Sequence, residues 1–435
     1  MARRAGVVLA LAVLVAAPAA VLRGMCAGRS CAAATTARAD VPYCSLPAPL
    51  RAGIRDGFYE GRSPEVLAVA RRHVVGPGGR WPSVAPGTIE AGRVPVVLAG
   101  RGVRRGVALR PGIGLDDIAP TLADIIGLRR PHPEVRSGRA HAGVASGARP
   151  RLVLEVVWEG VSSSRLEHHA GAWPFLAALT EGGAATLRAE SGSLPLDPAA
   201  LAATIGTGGL PRDHGITGSR LRNESGRLVW AWGPAAPTSV IATLADDLDR
   251  ATKGAARIGV VAPERYGVGL IGGNWYLDGN RDDIVLGRRS GVAAARRLLG
   301  GGYGRDRVTD LLAVAMRGPL REMDRGLGRL VEAARRAAGG SVTVAVTATG
   351  GAGPALTATS AAHLVGQLER RVPGPGAVVE TAAAGGLFLD QRALARRALA
   401  EDEVVASLRS LRAPAGERLL ADAFSALAVT FGRYC

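Results

Sequence analysis

Five short apolar runs punctuate the chain: Val94 to Ala99 (VPVVLA), Leu152 to Trp158 (LVLEVVW), Ile258 to Ala262 (IGVVA), Val342 to Thr347 (VTVAVT) and Leu427 to Phe431 (LAVTF). None shows the strict apolar/polar alternation of a strand with one face in water, so each reads as a strand buried on both faces. Helices are expected between them. Asp117 to Leu128 places Ile118, Leu122, Ile125 and Ile126 at helical spacing behind Asp116 as a cap, and Thr238 to Ala251, Val308 to Ala338 (interrupted at Pro319) and Gln391 to Ala413 carry similar patterns. Strands alternating with helices imply an α/β fold, a mostly parallel central sheet with helices on both faces. Such folds bind ligands at the carboxyl ends of their strands, which is where chemistry is to be sought.

Composition narrows the class. With 435 residues, 47% hydrophobic and 21% charged, the chain has apolar material for a large core, which excludes a disordered protein. The net charge of +17 is spread as single arginines and Arg-Arg pairs, Lys253 is the only lysine, and aromatics make up 4%. A nucleic-acid interface would cluster its charge and interleave aromatic rings, so no nucleic-acid partner is expected.

Arg3 and Arg4 precede an uncharged stretch from Gly6 to Leu22, and small-residue segments follow as far as Ala39. That order is the one of a secretory signal, so residues 1–39 are read as a signal peptide or an N-terminal anchor, and the protein as secreted or held in the cell envelope. Cys26 and Cys31 fall in this leader, while Cys44 and Cys435 stand at the two ends of the mature region. In an oxidising compartment Cys44 and Cys435 form one disulfide closing nearly the whole chain, or remain two thiols. Residues 40–435 are read as one domain, with 40–145 as a first module, 146–435 as the main module, and the Pro-, Gly- and His-containing stretch Arg129 to Pro150 as a linker between them.

Three segments together carry a resemblance. Val94 to Val103 (VPVVLAGRGV) is followed by Asp116 to Leu122 (DDIAPTL); Leu152 to Gly160 (LVLEVVWEG) is followed by Trp173 to Leu176 (WPFL) and by Thr204 to Ile216 (TIGTGGLPRDHGI); and Val342 to Gly351 reads VTVAVTATGG. This set resembles the alkaline phosphatase superfamily, in its type I phosphodiesterase and nucleotide pyrophosphatase branch. With the DIAPT-like module ahead of the opening strand, the order is similar to that of exported actinobacterial-type members. The resemblance implies an alkaline-phosphatase-like α/β fold and a phosphoester hydrolase. Such an enzyme would use two divalent ions, usually zinc, and a Thr or Ser nucleophile.

The same resemblance makes the absences informative. The first metal-ligand Asp of the family corresponds to Glu159, and the position of the nucleophile corresponds to Asp197 before Pro198, with Ser191 and Ser193 close by. The late strand, which in the family ends in a ligand-bearing "DHG", ends here in Thr349-Gly350. No His follows Asp310 where the family carries a "D..GH" loop, and none lies in Pro86 to Ala91. Most metal ligands are thus missing, and no cofactor is expected unless the site is active with zinc or another divalent ion.

Further candidates come from the residues alone. Asn274, Trp275 and Tyr276 follow the Gly269–Ile271 run and could line a binding cleft, or belong to an ordinary packed loop, while Asp282 and Asp283 read as a solvated turn. His214 reads as a structural support, and Glu155 as either a buried acid or a residue at a strand boundary. Three functions remain open. The first is a catalytically impaired exported relative with a binding or envelope role and a possible cell-envelope ligand. The second is a metal-dependent hydrolase of phosphodiesters or phosphomonoesters with an altered site, in which Glu159 and Asp197 do the chemistry and Glu159 holds metal. The third is a cell-surface protein that shares the fold alone.

Overall fold

The computed structural model describes residues 42–70, 74–76, 84, 88–272, 275–276, 282–287, 291–351, 358–372, 374–412 and 416–432. The expected leader, Cys435 and Asn274 lie outside them. Residues 42–435 fall into one compact unit.

Its centre is an eight-stranded sheet. From one edge the order is Asp283–Leu286, Ile258–Ala262, Asp310–Met316, Leu152–Trp158, Val342–Ala348, Arg93–Gly100, Ala184–Glu190 and Val107–Ala108. The first five run parallel, Arg93–Gly100 is antiparallel to both neighbours, and the last two again share the direction of the five. All seven residues of Leu152–Trp158 are buried, as are those of Asp310–Met316 and Val342–Ala348. Successive side chains of a strand point to opposite faces, so both faces of the sheet are covered. The α/β class with a mostly parallel sheet is therefore the observed one. The DIAPT-like segment supplies the helix Ile118–Ile126, and its preceding strand, Arg93–Gly100, is threaded between Val342–Ala348 and Ala184–Glu190.

A second, antiparallel sheet joins distant parts of the chain: Val379–Ala383, Gly386–Leu389, Val66–Ala70 and Leu420–Ser425, in that order. Leu364, Leu368, Leu394, Val404 and Leu408, from three helices, pack with these strands into its own apolar core.

Several local expectations are corrected. Asp310–Met316 is a strand, and the helix expected from Val308 begins only at Leu320, after Pro319. The run DLLAVAM is buried on both faces between two parallel partners, an environment that overrides its helix-compatible composition. Leu427 to Phe431 belongs to the helix Ala426–Phe431; Val429 alone of that helix is buried, while Leu427 and Phe431 face solvent, as one turn of a surface helix dictates. The expected helix Gln391 to Ala413 is two helices, Gln391–Arg397 and Glu401–Arg409, separated at Ala398, whose φ is positive. At the start of the DIAPT helix, Asp117 and not Asp116 closes the first turn, its Oδ2 accepting from the Gly114 amide at 3.1 Å.

The stretch Arg129 to Pro150 is not a free linker. Arg130 and Arg136 are buried and share one carboxylate, Asp247, at 2.7 and 3.4 Å. Both guanidinium groups also donate to the carbonyls of Thr207 and Ala242. Their remaining charge is thereby met by backbone dipoles, the condition under which a buried arginine is tolerable.

Candidate functional site

Parallel strands present their carboxyl ends at one edge of the sheet, and of the expected site residues Glu159 lies there. Glu159 follows the strand Leu152–Trp158 directly, Arg317 follows Asp310–Met316, and Thr349 follows Val342–Ala348. The Glu159 amide donates to the Met316 carbonyl at 2.8 Å and the Gly160 amide to Thr349 Oγ1 at 3.0 Å, so the three strand ends are tied to one another.

Glu159 is 4% exposed. Its Oε2 lies 2.7 Å from Arg317 Nη2 and accepts the Tyr266 hydroxyl at 2.9 Å, and Arg317 also meets that hydroxyl. Glu159 Oε1 is buried with no hydrogen-bond partner. Burial pushes the Glu159 carboxyl above its ordinary range, more than Arg317 and Tyr266 pull it down. Burial and the neighbouring Glu159 carboxylate raise the Tyr266 phenol, so it stays a hydrogen-bond donor.

Asp197 is buried at the start of the helix Pro198–Thr207. Its Oδ1 accepts the Ala199 amide at 2.9 Å and the Ser219 hydroxyl at 2.8 Å, the geometry of an N-cap. Burial raises its pKa, against the opposing pull of these donors. Among the described residues no hydrogen bond or ion pair joins Asp197 to Glu159. The link between them is indirect: Ala199 and Ala203 of the capped helix belong to a small apolar cluster against which Tyr266 packs, and Tyr266 donates to Glu159.

His214 is fully buried. Its Nδ1 accepts the Ile216 amide at 3.1 Å, so the proton of the neutral ring sits on Nε2 and is donated to Thr204 Oγ1 at 3.1 Å. Burial drives its pKa down to about 3, and the ring locks the TIGTGGLPRDHGI turn. Glu155 lies mid-strand between Ala313 and Ala345 of the flanking strands, with Oε1 buried and unpartnered. Burial pushes its carboxyl up to about 8, so it is a neutral acid near pH 7.

Trp275 lines a cavity of about 280 Å³ together with Trp232, Asp246 and Asp282. Tyr276 is turned elsewhere: its hydroxyl donates to Asp247 Oδ1 at 2.9 Å, and the Arg250 guanidinium stacks 4.5 Å from its ring centre. Asp283 begins a strand and accepts the Tyr303 hydroxyl at 2.9 Å, so the pair Asp282-Asp283 is not a solvated turn.

Sequence reasoning missed Arg317 and Tyr266. Arg317 is the first residue beyond an apolar run, a position that marks a strand end once that run is recognised as a strand. Tyr266 lies in a 3₁₀ turn, Arg265–Leu270, and carries no signal of its own.

The donor set does not fit a two-dication centre. Glu159 is neutralised by a guanidinium, Thr349 is hydrogen-bonded to a backbone amide, and Asp197 caps a helix. Among the described residues no group of three or more His, Cys, Asp or Glu side chains is placed to hold a metal ion.

No protein-family model matches the chain, and no curated protein matches it significantly. Among solved structures, the wild-type alkaline phosphatase PafA is similar at 14% identity with a TM-score of 0.43, over 61% of this chain and 77% of the phosphatase. A four-site mutant of that phosphatase is similar at 13% identity with a TM-score of 0.42, over the same shares.

Proposed function

We propose that the chain is a catalytically impaired, exported relative of the alkaline phosphatase superfamily that keeps the fold for a binding or envelope role. The observation that carries this reading is the Glu159–Arg317 pair. A metal-binding carboxylate must offer its charge to the ion, and here that charge is already met by a guanidinium held 2.7 Å away. The remaining positions of the resemblance supply a hydroxyl at Thr349 and a helix cap at Asp197, neither of which replaces an imidazole or an uncommitted carboxylate as a zinc ligand. The leader-like residues 1–39 support export.

The test is the metal content of the mature protein, from Asp40 onward, after dialysis against zinc and manganese. The impaired reading expects no retained ion and no turnover of phosphodiester or phosphomonoester substrates. One or more ions per chain, lost on Glu159→Ala, would overturn it in favour of a metal-dependent hydrolase.

A further inference from the structure

We infer that the strand Asp283–Leu286, at one edge of the central sheet, pairs antiparallel with the same strand of a second copy of this chain. This goes beyond the reading of the Glu159 centre and does not depend on it, because two strands separate Asp283–Leu286 from Leu152–Trp158 in the sheet.

Among the described residues Asp283–Leu286 is paired on one side alone, with Ile258–Ala262, to which it runs parallel in unbroken register. The amide of the next residue, Gly287, donates to the Ala262 carbonyl at 3.0 Å, which fixes the phase of the ladder. Backbone groups alternate in lateral direction along a strand. Asp283 and Val285 therefore bond inward with Gly287, and the amides and carbonyls of Ile284 and Leu286 point to the outer side. Such an edge templates a further strand unless it is blunted, and these four residues hold no proline, no lysine and no bulge. The opposite edge of the sheet, Val107–Ala108, is by contrast only two residues long.

The side chains favour a second copy as the partner. Ile284 and Leu286, 47% and 37% exposed, lie on one face of the strand, and Trp275, which lines the same cavity as Ile284, is exposed beside them. In sequence Asp282-Asp283 precede the apolar residues and Arg288-Arg289 follow them. An antiparallel copy lays the acidic end of one strand along the basic end of the other, whereas a parallel copy sets like charges together. The Tyr303 hydroxyl that Asp283 accepts is neutral and cancels none of the charge at that end. The phase of the ladder then selects the register. Outward-bonding residues must face one another, so Ile284 pairs with Leu286 of the second copy, and Val285 faces its own counterpart on the two-fold axis. That register gathers the exposed Ile284 and Leu286 side chains of both copies on one face. The next one the phase allows, centred on Leu286, sets Ile284 against Arg288 and is disfavoured.

The experiment is sedimentation velocity of the mature chain, from Asp40 onward, at concentrations up to about 100 µM, because a short edge ladder buries an area at the low end of specific interfaces. A reversible monomer–dimer equilibrium is expected, weakened by raised salt. Leu286→Lys, at an already exposed position, should weaken dimerisation by about tenfold or more, and Arg288→Glu should weaken it as well. Val285→Cys reads the register: a non-hydrogen-bonded antiparallel pair holds its Cα atoms about 4.5 Å apart, within disulfide range, so oxidation should give a peptide linked through position 285 of both copies. Near-ultraviolet circular dichroism checks that each variant is folded. A chain that stays monomeric throughout this range overturns the proposal. So does a dimer that Leu286→Lys leaves intact, or one in which Val285→Cys gives no linked peptide.

Discussion

The Arg317 guanidinium lies 2.7 Å from the Glu159 carboxylate, joining the ends of two adjacent parallel strands. Because the Glu159 side chain is only 3% exposed, Arg317→Ala leaves a buried carboxylate with Tyr266 as its remaining partner. The expected loss is about 1–3 kcal/mol, solvent at the arginine end screening part of the interaction. Burial already holds the Glu159 carboxyl above its ordinary value. The folded state therefore binds this proton more tightly than the unfolded chain, and the resulting loss of stability accumulates as pH rises above the ordinary carboxylate range. Removing Arg317 widens that difference. Urea denaturation should show a larger deficit for Arg317→Ala at pH 8 than at pH 4, where a protonated Glu159 needs no counter-ion. Equal deficits would mean that the pair carries no charge-dependent stability.

Glu155 and His214 are both buried, and they bend the pH–stability curve in opposite directions. Glu155, raised to about 8, gives a folded state that holds more protons than the unfolded chain between about 4.5 and 8, so stability falls with rising pH across that window. His214, lowered to about 3, gives an unfolded chain that holds more protons between about 3 and 6.5, so stability rises with pH there. Each full excursion corresponds to about 5 kcal/mol. Where the windows overlap, between about 4.5 and 6.5, these two slopes cancel. Asp116 and Asp282, raised mainly by burial to about 6 and about 7, add a fall that begins near pH 4, so stability declines across the overlap and its maximum lies at the acid end. Denaturant midpoints from pH 3 to 9 check the shape. Glu155→Gln should flatten the descent between pH 6.5 and 8; a descent of unchanged slope in that variant would remove Glu155 as its cause.

How much of this could be read from the sequence depended on how local the cause was. The strands Leu152–Trp158, Ile258–Ala262 and Val342–Ala348 announced themselves because burial on both faces demands continuous apolar residues. Asp310–Met316 did not, since DLLAVAM adjoins a helix of similar composition and nothing before Pro319 separates the two. The second sheet was invisible: Val66–Ala70 finds its partners more than 300 residues away, in strands of four to six residues rich in alanine and glycine. Glu159 was found because it directly follows a legible strand. Its partners were not, because Tyr266 and Arg317 meet it only through the three-dimensional alignment of separate strand ends.

The buried arginines of the presumed linker make a separate prediction. Asp247 is the carboxylate that both Arg130 and Arg136 touch, and its side chain is 0% exposed. Asp247→Asn keeps the shape and one acceptor oxygen but removes the charge that both buried guanidinium groups share, and should cost about 3–5 kcal/mol. Arg136→Met in that background should recover part of the loss by removing one buried charge. Limited proteolysis supplies the local readout: the wild-type stretch 129–150 should resist cleavage despite its proline and glycine content, and Asp247→Asn should expose it.

Cys44 and Cys435 stand near the two ends of the region that follows residue 39. Tyr43, one residue before Cys44, stacks edge-on against Phe424 with ring centres 5.4 Å apart. It also lies so close to Gly432 that a Cβ there would overlap its ring. Cys435 lies outside the described residues, and two residues, Arg433 and Tyr434, separate it in sequence from Gly432. Protein made under oxidising conditions should give a Cys44–Cys435 linked peptide on non-reducing proteolysis and mass spectrometry. Reduction should then cost about 2–5 kcal/mol, near the upper end because the loop closed is almost the whole chain. If the two thiols are recovered fully alkylatable from protein folded in an oxidising buffer, the packing of Tyr43 on Gly432 holds the ends together without a covalent link. In that case Tyr43→Ala, and not reduction, is the change that should release the C-terminal helix, seen as faster amide exchange over Ala426–Phe431.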